Sequence, residues 1–254
     1  MVEPKQIREM VPLFPKQYAK YQPSPLPEGI IRGMEPFFRE HVKHGDFKTV
    51  RNELVDNPRY IPIALTLLSK RDSVMFVNAA IALCDLPAGI VERGAVIDAV
   101  YQLYNDGKPN DRKNILSSLN NASSQINIAP FMPLVFDATS IDDANVRVDA
   151  VSALLKTAGA GGIILFAIPT LIGMIFDPEP EIREMLQTNL WQLDIRKASA
   201  EQRAEMVGAL LSLINSPAFM QEAETNSVAF VEQMKKIQSF IEQLKAQPEM
   251  KEAV

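Results

Sequence analysis

Four leucines set the frame of this chain. Leu83, Leu119, Leu154 and Leu190 close the segments SVMFVNAAIAL, PNDRKNILSSL, ANVRVDAVSAL and PEIREMLQTNL, at gaps of 36, 35 and 36 residues. A constant period of this size marks supersecondary units that cannot bury their apolar faces alone and must stack on one another. Other positions keep the same frame. Arg112, Arg147 and Arg183 share one register, which Phe76 occupies in the first unit. Pro133 and Pro169 share another, 36 residues apart. Asp106, Asp142 and Asp177 punctuate the ends of the preceding segments, and Asp72 opens the equivalent turn upstream.

Within each unit, apolar residues recur at three and four, and alternation by two never persists. The units therefore read as pairs of helices. IPIALTLLSKRD precedes SVMFVNAAIALCDLPAG, and GIVERGAVIDAVYQLYNDGKP precedes NDRKNILSSLNNAS. APFMPLVFDATSIDD precedes ANVRVDAVSALLKTAG, and IILFAIPTLIGMIFDP precedes EPEIREMLQTNLWQLD. Upstream, GMEPFFREHVKHGD and FKTVRNELVDNP read as a further two helices.

Between Lys156 and Asp177 lie twenty residues without a charge. Three readings compete for them: a membrane span, a phosphate loop and a helix covered by its neighbours. The first six, TAGAGG, hold Gly159, Gly161 and Gly162, which is poor helix material in water. The remainder would span roughly 21 Å at 1.5 Å per residue, short of a hydrocarbon core about 30 Å thick. A phosphate loop needs a lysine and a hydroxyl residue after its glycines, and Ile163 and Ile164 follow instead. The spacing favours a helix shielded on both sides by adjacent hairpins, with the glycines as a turn.

Residues 58 to 195 resemble the HEAT family, which is armadillo-like in architecture. The family pattern is a first helix with a proline, an aspartate in the turn, then a second helix opening on an aliphatic residue and an arginine, followed by small residues. FMPLVFDATSIDDANVRVDAVSALL carries it with Pro133, Asp142–Asp143, Val146, Arg147, Ala150 and Ala153. The next pair repeats it with Pro169, Asp177, Ile182 and Arg183. Phe76 and Asp111 depart from the pattern in the first two units.

The resemblance implies an all-α fold, a right-handed α-solenoid of stacked antiparallel helical hairpins. It implies that second helices line a concave face, where Asn78, Asn114, Asp149, Gln187 and Trp191 are candidate contacts. It implies that Arg112, Arg147 and Arg183 form a structural ladder with aspartates of neighbouring units. The competing reading of that column is a row of charges awaiting an acidic or phosphate-bearing ligand. The expected function is a protein-interaction scaffold or adaptor working through the solenoid surface, with another protein as partner. The second expectation is a HEAT-like enzyme or enzyme-assisting protein, a pigment lyase or chaperone or a nucleobase-related protein. Its groove would draw on Arg147, Asp149, Tyr101 and Tyr104.

Three regions are expected. Residues 1–36 carry seven prolines and read as an extended arm, with Val11, Leu13, Phe14, Tyr18, Tyr21, Leu26 and Ile30 seeking cover on the body. Residues 37–195 hold the repeats. Residues 196–254 read as capping helices, with Ser199 as an N-cap supported by Glu201 and Gln202. The stripe Phe230, Met234, Ile237, Ile241 and Leu244 would seal the stack or form a homodimer through the C-terminal helix.

Chemistry is sparse. His41 and His44, beside Glu40 and Asp46, lack the further ligands a zinc site needs, and they suit a helix end stopped by Gly45. Cys84 sits between alanines and leucines as a small buried hydrophobe. The carboxylate pairs Asp142–Asp143 and Glu179–Glu181 suit helix N-termini. No metal, cofactor or catalytic residue is expected.

Net charge is −5. Residues 61 to 177 hold 8 basic against 11 acidic side chains, and 178 to 254 hold 8 against 12, so phosphate backbones are repelled and nucleic acid is not an expected partner. A lipid bilayer is not one either. The N-terminus lacks a continuous apolar run and position 2 is Val2, so the expected location is cytoplasmic.

Overall fold

A computed structural model of the chain describes residues 28–68, 73–87, 91–158, 164–193, 195, 198–217, 219–221 and 227–246. Within them the protein is all-α, built of helices and short 3-10 turns without a β-strand. The helices are α1 (Glu28–Lys43), α2 (Phe47–Asp56), α3 (Ile61–Leu67), α4 (Ser73–Cys84), α5 (Arg93–Asp106) and α6 (Pro109–Ala122). Then follow α7 (Met132–Ala138), α8 (Ala144–Ala158), α9 (Ile164–Gly173), α10 (Pro180–Asn189), α11 (Ala200–Ile214) and α12 (Ser227–Ala246). The chain forms two compact units, Met1–Ala150 and Val151–Val254. The division falls inside α8, whereas the sequence suggested region boundaries at 36 and 195.

In the first unit, alternate helices pack side by side. α2, α4 and α6 form one row, α1 packs on α3, and α1–α2, α3–α4 and α5–α6 close as hairpins. α4 sits at the centre, touching α1, α2, α3, α5 and α6. Every residue from Met75 to Cys84 is buried, as expected of a helix that is apolar on all sides. α1 and α2 pack Phe38, Val42, Phe47, Val50 and Leu54 inward, each at most 2% exposed. Each such side chain contributes about 1.5–3 kcal/mol as an upper estimate.

α1 begins at Glu28 and runs through Pro36, inside the region expected to be extended. The aromatic pair at Phe37 and Phe38, with Val42 one turn on, explains this. Phe38 and Val42 are at most 2% exposed, and their burial outweighs the one backbone bond that Pro36 cannot make. Of the apolar residues expected to pack from an arm, Val11, Leu13, Phe14, Tyr18, Tyr21 and Leu26 lie outside the described residues, as do the surroundings of Ile30. Pro133 falls in the first turn of α7, where a missing N–H costs nothing.

The first hairpin also meets the third. Gly45 ends α1 in the left-handed region, with φ of +66°. Asp46 N–H donates to His41 O and Gly45 N–H to Val42 O, which is a Schellman stop. The Gly45 carbonyl then accepts from Asn121 Nδ2 at 3.2 Å and Gln125 Nε2 at 2.9 Å, both at the end of α6. Asp46 caps α2, taking Thr49 N–H at 3.3 Å and pairing with His41 Nδ1 at 3.0 Å. Slight burial pushes the Asp46 carboxyl up, but the Thr49 and His41 bonds outweigh it and hold it below its ordinary value. One turn on, Asp85 bridges Arg51 Nε at 3.1 Å and Asn127 N–H at 3.3 Å. This seam ties residues far apart in sequence without any apolar signal.

In the second unit, the described side chains of the uncharged stretch are mostly buried. Ala167, Ile168, Leu171 and Ile172 of α9 are fully buried, with α9 packed on α11 and on the 190–192 turn. At ten residues, α9 spans about 15 Å, and no described helix is long and apolar enough to cross a membrane. Residues 159–163 lie outside the described residues. α11 opens on the expected capping box. Ser199 Oγ takes Gln202 N–H at 3.1 Å, and Gln202 Oε1 takes Ser199 N–H at 2.8 Å.

A Cβ added at Gly45 would lie 2.3 Å from Asn121 Nδ2. Gly45→Ala is therefore expected to destabilise the chain by about 1–2 kcal/mol, the cost of a non-glycine residue in the left-handed region, plus the cost of moving Asn121. Chemical denaturation reads the change, and an unshifted midpoint would contradict the geometry of this turn.

Candidate functional site

The repeat arginines occupy one position in their helices. Arg112, Arg147 and Arg183 each lie four residues after the N-cap of α6, α8 and α10, and each side chain reaches back past that cap. Arg112 donates from Nε to Tyr104 O at 2.8 Å and from Nη2 to Asn105 O at 3.3 Å. Arg147 Nη1 donates to Ile141 O at 2.9 Å and Asp142 O at 2.8 Å. Arg183 Nη1 donates to Asp177 O at 2.6 Å and Pro178 O at 2.8 Å. These acceptors are carbonyls at the close of the preceding helix or in the turn after it, where acceptors lack helical partners and the helix dipole favours a cation. The column braces each hairpin internally through backbone oxygen, a partner the family pattern did not suggest.

A fourth arginine does the same. Arg203, 5% exposed, lies four residues after the Ser199 cap of α11 and donates to Ala198 O. It falls outside the 36-residue register, so the repeat alignment missed it. The spacing from a recognisable N-cap was the signal that could have found it.

The expected concave contacts separate into distinct environments. Asn78 is 4% exposed, and its Nδ2 donates to Val42 O of α1 at 2.8 Å. It is not a surface contact, because the five helices around α4 leave that helix no open face. Asn114 is half-buried on α6, and Asp149 is half-buried on α8. Asp149 Oδ1 accepts from Asn120 Nδ2 at 2.8 Å, which joins α6 to α8. Gln187 is exposed on α10. Trp191 follows α10 in the 190–192 turn and meets Phe240 of α12 edge-on, with centroids 5.8 Å apart at 70°.

The hydroxyls of Tyr101 and Tyr104 are directed to Pro130 and Asp137. Tyr104 O–H donates to Asp137 Oδ2 at 2.7 Å, under the Arg112 guanidinium 5.3 Å from its ring. Burial, then the Asp137 bond, push its phenol up. Tyr101 O–H donates to Pro130 O at 3.4 Å, and burial pushes its phenol up too. Both tyrosines link α5 to the segment that opens the next hairpin.

Asp143 Oδ1 takes Asn145 N–H at 2.9 Å. Slight burial pushes its carboxyl up, but bonds from Asn145 and Val146 and the charge of Lys113 together hold it below the ordinary value. Glu179 N–H bonds Asp177 Oδ1 at 2.8 Å, and Glu181 is exposed in the first turn of α10. His41 pairs with Asp46, and His44 Nε2 with Glu40 Oε1 at 2.8 Å. Among the described residues no group of three or more His, Cys, Asp and Glu could hold a metal ion. Cys84 is 3% exposed, and burial pushes its thiol up to about 12.

The C-terminal stripe is rotated from the expected one. α12 buries Gln233, Ile237, Phe240, Ile241 and Leu244 and packs on α11. Met234 sits at the margin of this face, and the surroundings of Phe230 lie outside the described residues. Phe240 joins the buried face by packing edge-on against the Trp191 ring.

The chain matches no protein-family model and no curated protein. Among solved structures it is similar to the crystal structure of an engineered protein from a structural genomics consortium. The sequences are 16% identical, the similarity covers 95% of this chain and 97% of that one, and the TM-score is 0.46.

Removing a charged donor from two carbonyls costs about 1.5–3 kcal/mol per bond at most. Arg147 is 9% exposed and Arg183 more open, so Arg147→Ala is expected to destabilise by about 3 kcal/mol and Arg183→Ala by about half that. Equal losses in thermal or chemical unfolding would contradict the difference in burial. The raised Cys84 thiol stays protonated in the folded chain, so its contribution is complete below the ordinary value of 9.0 and is lost as pH rises towards 12. A maleimide is therefore expected to label Cys84 at pH 8.5 only after denaturation.

Proposed function

We propose that this protein is a binding scaffold of the HEAT type, a right-handed solenoid of antiparallel hairpins whose helix surfaces hold another protein. The 36-residue frame supports the architecture, and so does the row of α2, α4 and α6 with hairpins closed behind it. The observation that carries the function is where the chemically capable side chains go. The repeat arginines brace backbone carbonyls. Tyr104 and Asp137 hold each other, and so do Asn120 and Asp149. Cys84 is sealed in the central helix. These groups are spent on structure, while α10 presents Glu184, Gln187 and Thr188 to solvent. An exposed polar helix face on a stacked frame suits recognition of a macromolecule, a reading by analogy of fold.

Affinity purification of the full-length chain from its native cell, with mass spectrometry, tests this. A stoichiometric protein partner is expected, and Glu184→Lys with Gln187→Lys is expected to weaken it about tenfold without changing the unfolding midpoint. Retention of a small chromophore or metabolite with no protein would overturn the reading.

A further inference from the structure

We propose that α12 is a displaceable cap over a helix-binding groove formed by α11 and Trp191. Its competitor is an amphipathic helix with an apolar residue where α12 carries Gln233. The proposal rests on the protein-binding reading above and adds a second surface, beside the polar face of α10 named there, with an occupant for it.

The groove is shaped for a helix, because a helix fills it. α12 inserts Ile237, Phe240, Ile241 and Leu244, each at most 3% exposed, against α11, and Phe240 meets the Trp191 ring. The fit fails at two polar atoms. Gln233, 4% exposed, lies on the same face one turn before Ile237, and its Oε1 is buried without a hydrogen-bond partner. Trp191 Nε1 is also buried without one. The second unit thus has an unanswered acceptor on the cap and an unanswered donor on the surface beneath it. Each weakens the closed state, because a desolvated amide or indole N–H regains a bond only in water or with another partner.

A helix with leucine at the Gln233 position avoids the first loss, and one with an acceptor near Trp191 Nε1 repairs the second. Tryptophan with an apolar body and a free N–H is a common interface anchor. Leu211 on α11 and Met220 just beyond it remain 41% and 46% exposed with α12 in place. α12 enjoys only the advantage of its tether, which raises its local concentration to the millimolar range at most.

The test uses the full-length protein and a fluorescein-labelled peptide of residues 227–246, in wild-type sequence and with Gln233→Leu. Trp191 is the chain's one tryptophan, so its emission reports on the groove directly. The Gln233→Leu peptide is expected to bind saturably, shift Trp191 emission and bind about tenfold tighter than the wild-type peptide. In wild-type protein, α12 amides should exchange hydrogen faster than those of α11. Gln233→Leu in the full chain should slow that exchange and reduce peptide capture. Absence of saturable binding, binding that leaves Trp191 emission unchanged, or equal exchange in α11 and α12 each overturn the cap. A protein partner retained in affinity purification alongside any of those results would sink this proposal and leave the scaffold reading standing.

Discussion

Each hairpin in the first unit is stable because its neighbours keep water from its apolar faces. α4 shows the constraint in its strongest form. Its residues are apolar almost all round, so no single partner helix could cover them. Five helices enclose it, and the cost of ordering so many residues is offset only when all five are in place. A lone hairpin from this sequence would expose α4 and collapse or aggregate. The repeat period is therefore a physical requirement, since each unit must present its successor with a surface of matching pitch.

Apolar burial sets which elements meet but says little about the angle at which the chain leaves one helix and enters the next. Polar turn chemistry does that. The arginine four residues into α6, α8, α10 and α11 reaches over its own N-terminus to the carbonyls left by the preceding turn. In α8 and α10 a single nitrogen, Nη1, holds two such oxygens, and in α6 Nε and Nη2 hold one each. Where that arginine is replaced by Phe76, at the start of α4, other devices serve. Gly45 adopts a left-handed conformation where Asn121 and Gln125 tie the first hairpin to the third, and Asp85, just after α4, ties the second hairpin to the first through Arg51. The hairpin that lacks the brace is instead held at its exit, where Asp85 takes both Arg51 Nε and Asn127 N–H.

The helices, the caps at Ser199 and Gly45 and the burial of Ala167, Ile168, Leu171 and Ile172 in α9 were all legible in the sequence, because periodicity and capping are local signals. The burial of Asn78 was not. The frame assigned it to a concave face, and only the return of α6 to the Gly45 turn, through residues 76 to 80 positions apart, shows that this face is closed. The start of α1 at Glu28 was hidden by Pro36, since local propensity spoke against a helix that burial of Phe38 then secured. Arginine registers were visible, but their acceptors were not, because backbone oxygen carries no sequence signature.

The same division bears on function. In this chain, polar residues that repeat with the frame are mostly structural. Arg147 holds carbonyls, Asp149 holds Asn120, and Asn78 holds Val42. A repeated position is repeated because every hairpin faces the same folding problem, whereas recognition of one partner needs features that differ from unit to unit. The informative residues are then those outside the register, such as Trp191 in its 3-10 turn and Gln233 on an otherwise apolar helix face. Each leaves a buried polar atom unanswered, as Asn78 Oδ1 also does in the central helix of the first unit, but only Trp191 and Gln233 do so on α12 and the surface it covers. Selection for stability would replace Gln233 with an aliphatic side chain at small cost in volume. Gln233 lies two turns before Phe240, the residue that meets Trp191, so one face of α12 carries both the aromatic contact and a buried polar atom without a partner.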